Sequence, residues 1–276
     1  MATRKKQRSF LKWAGGKYQL LDRLTRILPE GKRLIEPFVG SGVVFLNTDY
    51  QSYLLNDNNV DLMSVYQYLK SDGPMFIAEV ERLFKTMNNT EDRYYALRES
   101  FNSSCDPLER AALFVYFNRH GYNGLCRYNR QGKFNVPFGR YKSPSFPGDE
   151  MDFFSQKLRK AQLTSTDFTK AFARARKGNV ILCDPPYLSL SKTSNFISYS
   201  PSSFDMRQQA LLAVTAQRAA KRGVRVVICN HDTADARELY KGAEIESFPA
   251  ARKISCRGDT RQPVVELTAQ FAPSSW

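Results

Sequence analysis

Four residues in the second half of the chain have types and an order that could perform chemistry. They are Asp184, Pro185, Pro186 and Tyr187, named here the D-P-P-Y segment, and they directly follow the strand-forming residues 180–183. Prolines cannot donate to a strand ladder, so the strand must end where this segment begins. Taken alone, the segment is explained equally well as a turn that ends a strand and as a functional site.

The chemistry in question is the capture of an amine. Two stiff prolines hold the chain rigid, so the Asp184 carboxylate and the Pro185 carbonyl can point at one spot. Two converging acceptors could bind both hydrogens of an exocyclic amine on a nucleic-acid base, with Tyr187 stacked on the base. The same hydrogen bonds would direct the nitrogen lone pair toward an electrophile. A base must first leave its duplex stack, which requires on the order of a few kcal/mol.

A second candidate site combines glycines with a carboxylate. Phe38-x-Gly40-x-Gly42 follows a predicted strand and opens a predicted helix from residue 43, so the backbone can approach a ligand closely. The third glycine of a dinucleotide fingerprint would fall at Phe45, which disfavours NAD. Asp57, at the end of the next predicted strand, is placed either to accept hydrogen bonds from ribose hydroxyls or to serve as an ordinary turn residue.

A third candidate is the run Lys12-Trp13-Ala14-Gly15-Gly16-Lys17. It is not a phosphate loop, because it lacks the upstream glycine and the Ser or Thr that should follow the lysine. Trp13 beside two glycines and Lys17 suits stacking on a planar ligand and contact with a carboxylate. A core tryptophan that precedes a helix is an equally good interpretation.

These residues need an α/β scaffold to position them. The predicted strands are 34–35, 53–55, 180–183, 224–229 and 264–271, and helices are predicted over 18–28 and 203–222. Residues 61–120 show helical periodicity, and 127–136 is typical of a hairpin with its turn at 129–132. We therefore predict an α/β domain formed by 1–60 and 146–276, interrupted by a mostly helical insertion at 61–145 that carries a β-hairpin.

Composition limits the class of protein. The chain has 276 residues and a net charge of +14, from 41 Lys and Arg against 27 Asp and Glu. This excess favours a nucleic-acid partner, although a merely basic protein or an anionic membrane surface stays open. No apolar run approaches the ~20 residues that cross a bilayer, and the basic N-terminus lacks the apolar region of a secretory signal, so a cytoplasmic protein is expected. Five scattered cysteines and two histidines argue against a disulfide framework and a metal site.

Considered together, the motifs resemble those of the Dam-type DNA adenine-N6 methyltransferases. The matching order is K-W-A-G-G-K at 12–17, F-x-G-x-G at 38–42, a helical insertion and the D-P-P-Y segment. The resemblance continues through N-R-H-G-Y-N-G-L-C-R-Y-N at 118–129 and F-N-V-P-F-G-R-Y at 134–141. It covers nearly the whole chain, thinning over the first eight residues and after about 250. Cys256–Asp259 departs from the family pattern, in which a glycine-richer, less charged loop is expected at this place.

The resemblance implies a Rossmann-like methyltransferase sheet with an inserted target-recognition domain. It also implies S-adenosylmethionine as methyl donor, S-adenosylhomocysteine as product, and no metal. The residues at the family's cofactor-binding positions are Trp13, Lys17, Phe38, Gly40, Asp57 and Asp184. Asp57 would hold the ribose, and the D-P-P-Y segment would hold the target adenine.

The inserted domain would bind double-stranded DNA. The candidate contacts are Lys12, Arg98, Arg119, Tyr122, Asn123, Leu125, Arg127, Pro137, Arg140 and Tyr141. By analogy, Tyr122 would wedge into the duplex and Arg127 would read a guanine in a short palindromic site similar to GATC. Lys12 would contact the base pair at the other end of the site. We expect the protein to act as a monomer, in a bacterial nucleoid or a phage-infected cell.

Direct in-line transfer to N6, achieved by proximity and orientation, is the expected mechanism. Amine methylation needs no covalent enzyme intermediate, and the chain has neither a Pro-Cys nucleophile nor the zinc-deaminase signature. Two alternatives stay open: an RNA exocyclic-amine methyltransferase and a catalytically idle DNA-binding regulator. The hairpin rich in Arg and Tyr favours duplex DNA, and the intact D-P-P-Y segment argues against an idle protein. The Ser-rich residues 188–200 are expected to order when DNA binds.

Overall fold

The computed structural model describes residues 6–187, 204–250 and 264–273. The helices, in chain order, are α1 (Leu21–Ile27), α2 (Val43–Asn47), α3 (Val60–Ser71), α4 (Gly73–Leu83), α5 (Glu91–Ser103), α6 (Pro107–His120), α7 (Gly148–Leu158), α8 (Phe168–Ala173), α9 (Met206–Lys221) and α10 (Ala234–Leu239). The strands are β1 (Arg33–Glu36), β2 (Ser52–Asn56), β3 (Ala161–Thr164), β4 (Asn179–Cys183), β5 (Arg225–His231), β6 (Glu244–Ala250) and β7 (Val264–Phe271). The predictions for 188–200 and Cys256–Asp259 concern residues outside the described ranges.

The strands form a seven-stranded sheet in the order β3-β2-β1-β4-β5-β7-β6. β1 pairs in parallel with β2 and with β4, and Ile35 stands opposite Leu54 on one side and Ile181 on the other. β4 pairs in parallel with β5, whereas β7 is antiparallel to both β5 and β6. The α/β class with a Rossmann-like sheet is therefore confirmed. That residues 61–145 form an inserted recognition domain stays a prediction.

The parallel strands place three turns at one edge of the sheet. β1 ends at Glu36, β2 at Asn56 and β4 at Cys183, and parallel neighbours have their carboxyl ends on the same side. In open α/β sheets this is the edge at which ligands bind. The predicted F-x-G-x-G turn, Asp57 and the D-P-P-Y segment each follow one of these strand ends.

Helices α8 and α9 pack against the central strands and form a hydrophobic core with them. Ile35, Leu54 and Ile181 are fully buried in one cluster with residues of α8 and α9. α9 contributes a stripe of small and aliphatic side chains: Leu212, Ala213, Ala216, Ala219 and Ala220. This helix begins at Met206, slightly later than predicted, because the Asp205 side chain accepts a hydrogen bond from the Gln208 N–H at 3.0 Å and so caps it.

The helical periodicity predicted over 61–120 is confirmed. Four helices lie there, and the side chains that cap their first turns are Asn59, Asp72, Thr90 and Asp106. Each cap satisfies a backbone N–H that has no partner inside the helix. α6 is buried along most of its length and packs against α3 and α4.

Two strands and the hairpin differ from expectation. β3 was not predicted, because only Ala161 in it is buried and the periodic signal is absent. β6 was not predicted either; it is an edge strand that contains Pro249 and exposed glutamates, which sheet edges tolerate. The hairpin turn lies at Asn129–Gly132 as expected, but the pairing there is a single bridge between Tyr128 and Phe134.

Contacts within the chain define two compact units. The first contains the described residues of Met1–Thr25, Gly40–Asp49 and Asp57–Ser165, and the second contains those of Arg26–Val39, Tyr50–Asn56 and Thr166–Trp276. The helices α3 to α7 belong to the first unit, and β1, β2 and β4 to β7 belong to the second. Among the helices described, none is long and apolar enough to span a membrane.

Candidate active site

Gly40, in the first unit, sits in a position that excludes any side chain. Its φ of +47° is left-handed. Its N–H donates to Asp57 Oδ2 at 3.0 Å, and its carbonyl accepts from the Tyr66 hydroxyl at 2.5 Å. A Cβ at this position would lie 2.7 Å from Nε1 of Trp13. The indole therefore lies directly against the Gly40 backbone, and two predicted cofactor residues are brought together.

Asp57 is anchored by backbone donors. Oδ2 accepts from Gly40, and Oδ1 accepts from the Asn59 N–H at 3.0 Å. Burial raises the pKa of the Asp57 carboxyl, and the hydrogen bonds from Asn59 and Gly40 oppose that rise. The carboxylate is thus held in one orientation by backbone donors, and with up to four lone-pair sites it can accept a further hydrogen bond.

The K-W-A-G-G-K run forms a tight turn in the same unit. The Gly16 N–H donates to the Trp13 carbonyl at 3.2 Å, and Gly15 has a φ of +75°. Lys17 is buried, and its Nζ donates to the Gly15 carbonyl at 2.9 Å. The lysine is therefore folded over its own loop, and Trp13 stays half-buried beside Gly40.

Phe38 belongs to the second unit and is half-buried. Its ring lies 5.5 Å from that of Phe168 and 5.3 Å from that of Phe204. The chain next to it is fixed by Asn56, whose Nδ2 donates to the Pro37 carbonyl at 2.9 Å. An aromatic trio at the end of β1 offers an apolar face of the kind on which a planar ring can stack.

The D-P-P-Y segment follows β4 as predicted, and its backbone is held from the side of α9. Pro185 is buried, while Asp184 is half-buried. The Pro186 carbonyl accepts from Nε2 of Gln209 at 2.8 Å. Since neither proline has an N–H, this bond to a carbonyl is one of the backbone contacts that can fix the turn.

Tyr187 is fixed by the ends of the neighbouring strands. Its hydroxyl donates to Glu266 Oε2 at 3.2 Å, and its ring meets that of His231 edge to face at 4.6 Å. Burial, followed by the nearby Asp184 carboxylate, raises the pKa of the Tyr187 hydroxyl. The phenol therefore stays neutral and donates a hydrogen bond at physiological pH.

Asn118 connects two predicted DNA-contacting segments of the first unit. Its Oδ1 accepts from the Lys12 N–H at 2.8 Å, and its Nδ2 donates to the carbonyls of Lys12 at 2.7 Å and Gly124 at 3.1 Å. One buried amide thus holds the chain at Lys12 beside the turn at 122–124.

The Lys12 ammonium lies over the ring of Tyr141. Its Nζ is 4.3 Å from the ring centroid, a cation–π contact. Burial, followed by the charge of Arg119, lowers the pKa of Lys12. The Tyr141 hydroxyl also accepts from the Asn123 N–H at 3.0 Å, so these predicted residues form one cluster.

Tyr122 is the exposed aromatic residue of this turn. Half of its surface is exposed to solvent, and its N–H donates to the Pro137 carbonyl at 2.9 Å. Leu125 is half-buried, and its N–H donates to the Tyr122 carbonyl at 3.2 Å. The turn is therefore rigid while the phenol side chain projects into solvent.

Arg127 is exposed and is oriented by Asn135. Its Nε donates to Asn135 Oδ1 at 2.8 Å, and its Nη2 donates to the Asn135 carbonyl at 3.1 Å. A guanidinium has five donors, so this arrangement leaves both hydrogens of Nη1 and one of Nη2 for a further partner.

The hairpin that carries Arg127 is anchored at the start of α3. The Tyr128 hydroxyl donates to Asp61 Oδ2 at 2.5 Å, and the other Asp61 oxygen accepts from Arg110 at 2.9 Å. Nδ2 of Asn59 donates to the Cys126 sulfur at 3.4 Å. Because the Asn59 N–H also binds Asp57, the base of the hairpin and the candidate ribose carboxylate share one support.

The remaining predicted arginines are engaged within the protein. Arg98 donates to the Val136 carbonyl at 3.2 Å, and Arg119 donates to Ser145 Oγ at 2.7 Å. Arg140 forms an ion pair with Glu91 at 3.2 Å. That last pair is exposed, and exposed pairs contribute about 0–1 kcal/mol, so DNA phosphate can compete for Arg140.

The roles of Asn118 and Gln209 do not follow from the sequence alone. Asn118 stands in the motif at 118–129, but its type and position there do not show what it binds. Gln209 had a detectable signal, since it is a polar residue at a core position of an amphipathic helix, three residues before Leu212. Buried polar side chains are usually hydrogen-bonded for a structural or functional reason.

Among the described residues, no group of three or more His, Cys, Asp and Glu side chains is arranged to hold a metal.

The chain is thus an α/β protein in which the F-x-G-x-G turn, Asp57 and the D-P-P-Y segment follow the carboxyl ends of parallel strands, and comparison with known proteins gives its family. The D12 class N6 adenine-specific DNA methyltransferases match over residues 13–254. The chain is 50% identical to the DNA adenine methylase of Vibrio cholerae over 270 residues, 98% of each protein. It is 49% identical to the DNA adenine methylase of Escherichia coli K12 over 269 residues, 98% of this chain and 97% of that protein.

The chain belongs to the D12 class N6 adenine-specific DNA methyltransferases. Adenine in DNA is accordingly its substrate class, which confirms the predicted enzyme and sets aside the RNA methyltransferase and the idle regulator. Among solved structures, an rRNA methyltransferase from Streptomyces viridochromogenes is similar with a TM-score of 0.39 and 11% identity, covering 94% of this chain and 86% of that one. Similarity at that level gives no information about function.

Proposed function

We propose that this enzyme transfers the methyl group of S-adenosylmethionine to N6 of an adenine flipped out of a GATC-like duplex site, and that it acts as a monomer. The observation on which the proposal rests is the D-P-P-Y segment at the end of β4. Its Pro186 carbonyl and its Tyr187 hydroxyl are both held by protein side chains. A segment fixed at these two points can present Asp184 and Pro185 in a constant orientation.

The residues of the Gly40 turn suit the cofactor. S-adenosylmethionine supplies an electrophilic methyl group on a sulfonium centre. Gly40 lets a ligand approach the backbone where a Cβ would collide with Trp13. Asp57, with both oxygens oriented by backbone donors, can accept hydrogen bonds from ribose hydroxyls. We assign stacking to Trp13 and Phe38, and contact with the carboxylate of the cofactor to Lys17.

The D-P-P-Y segment binds the target amine in this proposal. The Asp184 carboxylate and the Pro185 carbonyl accept the two N6 hydrogens, and Tyr187 stacks on the flipped adenine. Removing the N6 lone pair from conjugation with the ring makes it available for in-line attack on the methyl group. Asp184 need not act as a strong base, since the proton can leave after transfer. Catalysis then rests mainly on proximity and orientation.

The first unit provides the contacts with DNA. Tyr122 is exposed on a rigid turn and suits a wedge between base pairs, which is a known way to open a duplex. Arg127 has free donors on Nη1 and Nη2, the edge that can bind O6 and N7 of a guanine together. Lys12 contacts the base pair at the other end of the DNA recognition sequence. The remaining contacts, mostly to the DNA backbone, are assigned to Arg98, Arg119, Asn123, Leu125, Pro137, Arg140 and Tyr141.

The test of this site is methyl transfer from labelled S-adenosylmethionine to duplex DNA. Asp184→Asn keeps the shape of the side chain but replaces one acceptor by a donor, and we expect transfer to be abolished. DNA affinity should largely persist, because phosphate contacts supply most of it. Asp235→Asn, at an exposed position in α10, is the matched control and should behave as wild type. Near-normal turnover of Asp184→Asn would refute the proposed role.

Two further measurements test the target. Sequencing of methylated adenines on random DNA should return GATC. A duplex with 2-aminopurine in place of the target adenine should become more fluorescent when the enzyme binds, because the base leaves its stack. Methylation without sequence preference would contradict the GATC assignment, and unchanged fluorescence would contradict flipping.

A further inference from the structure

A buried hydrogen-bond network lies behind the D-P-P-Y segment in the second unit. It consists of Gln209 in α9, Asn230 near the end of β5, and Tyr240 just after α10, and the side chains of all three are fully buried. Gln209 Oε1 accepts from Asn230 Nδ2 at 3.1 Å and from the Tyr240 hydroxyl at 3.2 Å. Gln209 Nε2 donates to the Pro186 carbonyl at 2.8 Å.

The direction of these hydrogen bonds is fixed by the backbone. The His231 N–H can only donate, and it donates to Asn230 Oδ1 at 2.8 Å. Asn230 must therefore turn its Nδ2 toward Gln209, and Gln209 must receive it with Oε1. Only the amino group of Gln209 can then face Pro186. A flipped Gln209 amide would set its oxygen against the Pro186 carbonyl and its amino group against that of Asn230, and both contacts would be unfavourable at a fully buried site.

The carbonyl that Gln209 holds belongs to the peptide between Pro186 and Tyr187. The two prolines contribute no N–H of their own, so hydrogen bonds to carbonyls carry more of the restraint on this segment. Fixing the Pro186 carbonyl fixes the plane of the peptide that leads into Tyr187. The Tyr187 hydroxyl is fixed separately by Glu266 at 3.2 Å. The backbone that leads into Tyr187 and the hydroxyl of its side chain are thus both held in place.

We propose that Gln209 is a positioning residue for methyl transfer: it holds the Pro186 carbonyl so that the groups of the D-P-P-Y segment stay aimed at the target amine. The inference rests on the proposed role of that segment. Gln209 touches neither the base nor the cofactor, so it acts on the rate of transfer and leaves binding unchanged. A misplacement of about 1 Å can reduce a rate on the order of 10²-fold.

Gln209→Met keeps the length of the side chain but removes both the donor to Pro186 and the acceptor used by Asn230 and Tyr240. We expect the single-turnover methylation rate to fall on the order of 10²-fold, with the affinities for S-adenosylmethionine and DNA at the wild-type level. The matched control is Tyr50→Phe, which removes a different buried donor to a proline carbonyl in the same unit, that of Pro29 at 2.7 Å. It should keep the rate, and it should lower the melting temperature by less than Gln209→Met, because it removes one hydrogen bond where Gln209→Met removes three.

Gln209→Glu gives a second readout that a purely structural role would not produce. An ionised carboxylate would oppose the Pro186 carbonyl, whereas the protonated acid can donate to it. The rate of this variant, divided by that of wild type at each pH, should therefore recover as the pH is lowered. The same variant supplies the test if Gln209→Met does not fold.

The inference is overturned if Gln209→Met loses no more rate than Tyr50→Phe, if substrate affinities fall in parallel with the rate, or if Gln209→Glu shows no recovery at low pH. Failure of the proposed function is recognised separately, because Asp184→Asn would then methylate normally. An inactive Asp184→Asn together with a fully active Gln209→Met would remove the positioning role alone.

Discussion

Replacing Gly40 by alanine tests the arrangement of the candidate cofactor turn. The backbone of Gly40 cannot rotate to a negative φ without losing its hydrogen bonds to Asp57 and Tyr66. The alanine must therefore keep a φ of +47°, which costs about 1–2 kcal/mol for a residue with a Cβ. The new Cβ would also lie 2.7 Å from Trp13 Nε1 and 3.0 Å from its Cδ1.

Ordinary contact begins at 3.4 Å, so the indole must retreat by about 0.7 Å. Overpacking of this kind costs about 1–3 kcal/mol, which brings the expected loss of unfolding free energy to about 2–5 kcal/mol. Gly242→Ala is the control, because Gly242 has a φ of +90° with open space around its missing Cβ. The unfolding free energy of Gly242→Ala should fall only by the cost of the left-handed backbone, about 1–2 kcal/mol.

The assay combines thermal unfolding with calorimetric titration of S-adenosylmethionine. Gly40→Ala should bind the cofactor at least about tenfold more weakly, equivalent to about 1.4 kcal/mol, because the methyl group and the displaced indole occupy the approach to the turn. Gly242→Ala should bind it as wild type does. Folded Gly40→Ala with wild-type affinity, or an equal loss of affinity in Gly242→Ala, would refute the reasoning.

Four further outcomes are expected. Burial raises the pKa of the Asp57 carboxyl above its usual 3.8, so as the pH is lowered this carboxylate is protonated at a higher pH than an exposed one. Cofactor affinity should therefore decrease over that higher pH range, and Asp57→Asn should lack this pH dependence. Burial lowers the pKa of His120 from 6.5 to about 4, so the unfolded chain binds the proton first. Unfolding free energy should then fall by up to about 3 kcal/mol between pH 6.5 and 4, and His120→Gln should flatten the curve measured in urea. Arg127→Ala should lose about 1–3 kcal/mol of discrimination at one base pair, and Asn135→Ala a smaller part at the same pair; uniform loss across singly substituted GATC duplexes would make Arg127 a phosphate contact. Asn118→Ala should lower the unfolding free energy by about 2–4 kcal/mol, because it leaves backbone groups of Lys12 unpaired; an unchanged denaturant midpoint would disprove that account.

The parts of the fold that could be predicted are those with a local cause. β4 and β5 are continuous apolar runs, and such runs are typical of strands buried on both faces. β6 was missed because it is an edge strand in which most side chains are exposed, so its sequence has no apolar alternation. The end of β4 could be placed to the residue, since Pro185 cannot continue a ladder.

The residues of the candidate site also differ in how far they could be predicted from the sequence. Asp57 and the D-P-P-Y segment were found because each follows a strand, and the position of a strand end is visible in the sequence. The role of Gln209 could not be predicted, because its partners Pro186, Asn230 and Tyr240 all lie outside α9, 21 to 31 residues away in the sequence. A pattern along one helix shows that a residue is polar and buried, but not which atom it binds.

Asn118 shows how such long-range contacts organise the first unit. It lies 106 residues after Lys12 in sequence, yet its amide binds both backbone groups of that residue. Lys12 and Trp13 are consecutive, so the segment that presents a candidate DNA contact also presents the indole beside Gly40. At the start of α3, Asn59 likewise binds both Asp57 and the base of the hairpin. Within this unit, the groups proposed for DNA and those proposed for the cofactor are therefore held by the same few residues, and a substitution of Asn118 should disturb both kinds of binding together.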